Sequence, residues 1–116
     1  MANETPKKPN AGSVLGALGI CAKAGKLICG TPLICEALKA KKKIFLVVEA
    51  SDNSENTQKR LRDRCGFYGV EKRLLNANGD ALARALGKSG RVSAAAITDE
   101  QLCRLVTEKL KQEHIL

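Results

Sequence analysis

The chain has no tryptophan, one tyrosine (Tyr68), two phenylalanines (Phe45 and Phe67) and a single histidine, His114, close to its end. With so few rings the core must be aliphatic. A lone imidazole near a terminus leaves no serine, cysteine or threonine with a base to take its proton, so nucleophilic catalysis is not expected. Nothing matches G-x-x-x-x-G-K-[ST], and no G-x-G-x-x-G follows a strand; Gly16 and Gly19 fall inside a predicted helix instead. The pair Asp99-Glu100 reads as charge at a helix N-terminus rather than as a catalytic dyad. No apolar run approaches the ~20 residues of a membrane span. Met1 to Asn10 holds Glu4, Lys7, Lys8 and two prolines without an apolar core, so the cytoplasm is expected rather than secretion. The five cysteines (Cys21, Cys29, Cys35, Cys65 and Cys103) are odd in number and irregularly spaced, and none forms C-x-x-C. That argues against a disulfide framework and against a zinc site, and favours buried free thiols. These absences together predict a protein that is not an enzyme and carries no cofactor.

What is present is positive charge, unevenly placed. The 116 residues suit one core and carry a net charge of +8. Eight lysines face only Glu4 and Glu36 between Met1 and Val48, so most of the excess lies in that half. Such a balance suggests a polyanionic partner, nucleic acid first, beside the plainer reading of a lysine-rich soluble surface.

Periodicity gives five helices and four strands in alternation. Residues 1–12 read as a disordered basic tail and residues 13–116 as one domain. Ser13 caps a helix with Val14, Leu15, Leu18 and Ala22 on one stripe, and Gly16 and Gly19 imply close packing there. A short strand at Lys26–Cys29 precedes a helix over Pro32–Ala40. Ile44–Val48 is apolar without alternation, the pattern of a strand covered on both faces. A helix over Glu55–Phe67 follows, then an edge-like strand at Val70–Leu75 guarded by charge, a short helix at Ala81–Leu86 and a small-residue strand at Val92–Ile97. Thr98 and Gln101 have capping-box spacing before a last helix. The predicted fold is a three-layer α/β/α sandwich, with about four strands in a mixed sheet and helices on both faces.

The stretch from Lys23 to Ala37 is the most informative. Gly25 can end the first helix in the left-handed region. Thr31 is expected to cap the next helix through its hydroxyl, with Pro32 in the first helical position. Gly30, without a side chain, would leave backbone N–H groups open to a phosphate. By itself the same pattern is also an ordinary helix cap.

In order and spacing, several segments resemble the kink-turn RNA-binding family of ribosomal protein L-seven-Ae, in its small bacterial ribosome-associated branch. They are Leu18-Gly19-Ile20-Cys21-Ala22-Lys23-Ala24-Gly25-Lys26 with Gly30, Leu46 through Thr57, Cys65-Gly66-Phe67-Tyr68-Gly69-Val70, Leu86-Gly87-Lys88 and Ala96-Ile97-Thr98-Asp99. The resemblance implies non-catalytic recognition of a kink-turn or similar structured element in ribosomal or regulatory RNA. It implies contacts from Gly30, Thr31, Pro32, Leu33 and Glu36, from the loop Lys88, Ser89, Gly90, Arg91 and Val92, and from Glu49 and Ala50 beside them; Lys26, close to the turn in sequence, is expected to join them. It also implies a ribonucleoprotein setting, with ribosomal proteins as further candidate partners, no membrane, and a monomer when free. The chain departs from the family at one place. Many members carry Asn-Glu after Gly-Thr and a lysine further along the helix, where this chain has Pro32, Leu33 and Glu36. A protein-interaction module with weakened RNA binding is therefore the alternative.

Overall fold

The computed structural model describes residues 13–113; the basic tail expected over residues 1–12, and His114, lie outside them. Five helices and four strands alternate along the chain: α1 (Val14–Lys23), β1 (Leu27–Cys29), α2 (Thr31–Lys39), β2 (Leu46–Glu49), α3 (Glu55–Tyr68), β3 (Lys72–Leu74), α4 (Gly79–Ala85), β4 (Ala94–Ile97) and α5 (Glu100–Glu113). The sheet order is β1-β4-β2-β3, with β4 antiparallel to both neighbours and β3 parallel to β2. This is the mixed, helix-covered sheet that the alternation predicts.

Two core clusters sit on opposite faces of the sheet. One gathers Val14, Leu18 and Cys21 of α1, Leu82 of α4, and Val106 and Leu110 of α5 over Leu46, Val48, Ala95 and Ile97. The other packs Ile34 and Leu38 of α2 and Leu61 and Cys65 of α3 over Val47, Ala94 and Ala96. Ala94, Ala95 and Ala96 are fully buried, and their small side chains let helices approach both faces. The glycine in α1 is explained the same way: a Cβ on Gly19 would stand 2.9 Å from the carbonyl oxygen of Ala85 in α4. Burial among these helices pushes the Cys21 thiol up to about 11.

Helix starts follow side-chain chemistry with two corrections. Ser13, Ser54 and Asn78 accept from the N–H groups of Gly16, Thr57 and Ala81. Thr31 does not cap α2. Gly30 holds the cap position, without a side-chain bond, and Thr31 is already helical, which moves Pro32 one place inward. The Thr31 hydroxyl is drawn away by Ser93, 2.8 Å distant. At α5 the cap is Asp99, whose Oδ1 accepts from Leu102 N–H at 2.9 Å. A carboxylate in that position displaces the Thr98–Gln101 box, one residue earlier.

Strand direction fixes two poles. β1, β2 and β3 are mutually parallel, so α2 and α3 both begin at the ends where β1 and β2 finish. Ser93, entering β4, and Asn78, entering α4, lie at that same pole, since Gly30 and Ala50 donate to the carbonyls of Ala94 and Ser93 and Ser51 donates to Ala77.

Candidate nucleic-acid interface

The β1–α2 turn and the loop before β4 face each other across a cleft of about 370 Å³, lined by Gly30, Thr31, Pro32, Lys88, Arg91 and Ser93 among others. One wall exists because Gly30 adopts φ 96°, ψ 140°, a region that residues with a Cβ enter only at a cost. That turn sends the chain directly from β1 into α2. The other wall is a glycine-containing loop, Gly87 to Arg91, exposed along its length.

Ser93 joins the walls. Its hydroxyl accepts from Thr31 N–H at 3.2 Å and shares a hydrogen bond with the Thr31 hydroxyl, while its carbonyl accepts from Asn53 Nδ2 at 2.9 Å. Thr31 and Asn53 are both buried, so these bonds satisfy groups that water does not reach. Because Thr31 has given its N–H to Ser93 and Pro32 has none, the turn presents fewer free amides than its sequence suggests.

The far end of the loop is clamped by Arg91. Its Nη2 donates to Asp52 Oδ1 at 2.7 Å and to Asn53 Oδ1 at 3.1 Å. Asp52 Oδ1 also accepts from Gly79 N–H at 2.9 Å. The Gly79 bond, with help from the Arg91 guanidinium, lowers the Asp52 carboxyl below its ordinary range. Gly79 leaves room for the clamp: a Cβ on it would meet the guanidinium at 2.7 Å and push Arg91 aside. Beneath this layer Glu49 is buried and binds Lys72 Nζ at 2.8 Å, with Asn53 Nδ2 at 3.4 Å. The cleft is therefore backed by a continuous polar layer running from Lys72 to Arg91.

The residues expected to form the site separate into three groups. Gly30, Thr31, Pro32, Lys88, Ser89, Arg91 and Val92 line the cleft, and Gly90 completes its loop. Leu33, 56% exposed, and Glu36 instead border a smaller hollow with Ile28, Ala37, Ala40 and Lys42 on the outer side of α2. Glu49 and Ala50 are buried beneath the cleft. Lys26 stands apart from all of these: it precedes β1 at the opposite pole, roughly 13 Å from Gly30 at the rise of a strand. Sequence reading missed Ser93, Asn53 and Asp52. Their partners are distant in sequence, and the only local sign was a polar run, Ser51-Asp52-Asn53-Ser54, directly after a buried strand.

The chemistry the cleft offers is binding. Lys88 supplies positive charge, beside an Arg91 already paired with Asp52, and the hydroxyls of Ser89 and Ser93 lie beside a backbone that approaches closely at Gly30. Cys29 also borders it, and burial raises its thiol against the opposing pull of Lys88. A wider groove of about 510 Å³ between Phe45 and α5 mixes Glu100 and Glu108 with Arg104 and Lys111, so it has no charge of one sign to offer a polyanion. No group of three or more His, Cys, Asp or Glu side chains among the described residues could hold a metal ion. No described helix is long and apolar enough to cross a membrane.

No protein-family model matches the chain. An RNA-binding protein named YlxQ from Bacillus subtilis is 33% identical over 84 residues, which cover 72% of this chain and 80% of that protein. The chain belongs to the YlxQ family. The YlxQ of Enterococcus faecium is 39% identical over 62 residues, 53% of this chain and 58% of that protein. Among solved structures, a Bacillus halodurans protein of unknown function superposes on this chain with TM-score 0.76 and 30% identity, covering 84% of this chain and 96% of that one. The Giardia lamblia 15.5 kD RNA-binding protein superposes with TM-score 0.68 at 22% identity, over 85% of this chain and 82% of its own. That likeness is one of fold: five helices around a four-stranded mixed sheet.

Proposed function

We propose that this protein binds structured RNA through the cleft between Gly30–Pro32 and Lys88–Val92, without catalysing a reaction on it. The observation that carries the reading is the cleft itself. Two segments separated by more than fifty residues form a basic, concave surface, held open by Ser93 and Arg91. The naming of both YlxQ relatives as RNA-binding proteins supports it. A kink-turn, or another sharply bent helix–loop–helix of ribosomal or regulatory RNA, is the ligand that fits best. Folded RNA is recognised through shape, phosphates and splayed bases. A glycine turn admits backbone at close range, and the Lys88–Val92 loop can cover an unstacked base. Such a role belongs in the cytoplasm, in a ribonucleoprotein, with ribosomal proteins as neighbours. Gel shift with a kink-turn RNA and with a control whose tandem G·A pairs are disrupted tests this. The kink-turn should bind at least tenfold tighter; equal affinity for the two rejects the specific reading.

A further inference from the structure

The pole opposite the cleft carries charge that the cleft does not use. Lys23 ends α1, Lys26 precedes β1, Lys39 ends α2, and Lys41, Lys42 and Lys43 follow it. All six are exposed. Thr98 donates to the Lys26 carbonyl and Phe45 to the Ile97 carbonyl. The chain at Lys26 and the chain emerging from Lys43 thus flank the end of β4, roughly 10 Å apart at the spacing of three strands. That is within about one Debye length at 0.1 M salt, so these charges act together. Among the described residues none of the six forms an ion pair. Of the carboxylates near this end, Asp99 caps α5, Glu100 faces Arg104 and Glu71 faces Arg73; Glu36, which borders a hollow with Lys42, offsets one charge and leaves the lysines in excess. Helix-dipole compensation accounts for Lys23 and Lys39, each in the last turn of a helix. It does not account for Lys26, Lys42 or Lys43.

Lys41 adds an independent observation. It is the one non-glycine among the described residues with positive φ, at 60°. Its N–H and that of Lys42 donate to the carbonyls of Leu38 and Ala37, closing α2 in the manner that favours glycine at this position. The chain places glycine at its other left-handed positions, Gly25, Gly69, Gly87 and Gly90. Here a charged side chain occupies a backbone site better suited to none.

We propose that this lysine-rich pole is a second RNA-binding surface, one that takes the phosphate backbone of a duplex. The assignment to RNA rests on the reading of the cleft as an RNA site. One molecule would then hold a bent element in the cleft and a helix at the other end. Lysines are compact point charges without the planar fork that reads base edges, so this contact is independent of sequence and sensitive to salt.

The test is fluorescence anisotropy of the full chain with a labelled 16-base-pair RNA duplex that has no internal loop, with and without one molar equivalent of unlabelled kink-turn RNA, enough to fill the cleft without competing in excess for the second surface. The wild type should bind the duplex in both conditions. The triple variant Lys41→Gly, Lys42→Gln, Lys43→Gln should bind it at least tenfold more weakly, and its slope of log affinity against log salt should be smaller by about 2 to 3. Lys41→Gly alone should raise Tm by roughly 3 °C while weakening duplex binding two- to threefold. A better fold with poorer binding is an outcome that a merely structural lysine does not produce. Unchanged duplex affinity in the triple variant overturns the proposal, as does full displacement of the duplex by kink-turn RNA. Tighter binding to phosphatidylserine vesicles than to the duplex overturns the assignment to RNA. If kink-turn RNA fails to bind while duplex binding still depends on the three lysines, the cleft reading falls and this surface stands.

Discussion

Gly30 determines whether there is a cleft at all. Its φ of 96° leaves the turn no alternative residue, although no atom lies within 4 Å of the position a Cβ would take. The cost of Gly30→Ala is therefore backbone strain and not a clash. We expect a loss of about 1–3 kcal/mol in denaturant unfolding, together with weaker binding of kink-turn RNA. Unchanged stability would show that the turn relaxes freely. Asp52 governs the opposite wall. Its carboxyl is lowered first by the Gly79 N–H and then by Arg91. A group whose folded value is depressed stabilises above its unfolded value and ceases to do so as pH falls through the folded one. The clamp should thus hold at neutral pH and release only below the ordinary aspartate range. Protection factors of the Gly79 and Val92 amides, taken relative to the intrinsic rate at each pH, should hold down to about pH 4 and fall in more acid solution. In Asp52→Asn that acid step should vanish.

At the scale of elements, strands were legible where burial dictated composition. Ile44–Val48 reads as a doubly covered strand because it is, although its pairing runs Leu46–Glu49. The acidic end of β2 was not legible as buried. Glu49 enters the interior because Lys72, one strand away in the parallel register, supplies its counter-charge, and a pairing between strands has no signature in either segment. Lys72→Met should leave that carboxylate buried and unpaired. We expect a loss of about 3 kcal/mol by chemical denaturation, and a loss near zero would mean that water reaches Glu49. The capping of α2 failed as a prediction for the same kind of reason. A hydroxyl free to cap locally was captured by Ser93, sixty-two residues further on. Local rules choose among local partners, and the fold adds others.

For the whole molecule, the alternation of helix and strand was enough to give the layers. The facing of Gly30–Pro32 with Lys88–Val92 came from the family resemblance, because nothing local to either segment announces the other. The position of Lys26 was misplaced by sequence proximity. Three residues separate it from Gly30, but they form a strand, and a strand spans the sheet from one pole to the other. The lysines were thus legible as charge and illegible as a place. Only the direction of β1, β2 and β3 shows that α2, which starts at the cleft, carries its C-terminal lysine away from it.

If the cleft binds RNA as proposed, the Ser93 bridge sets the order of events. Both walls are tied to one residue before any ligand is present, so the protein has little conformational freedom left to surrender on binding. Preorganisation of one partner shifts the folding burden to the other. The bent RNA must then be supplied by the RNA, and capture should follow its population of bent states. In stopped-flow mixing, RNA folded beforehand in magnesium should associate faster than RNA mixed without it at matched ionic strength. Equal rates for the two would mean that the walls move after all. The protein acts on this reading as a rigid gauge, testing the RNA's shape more than reshaping it.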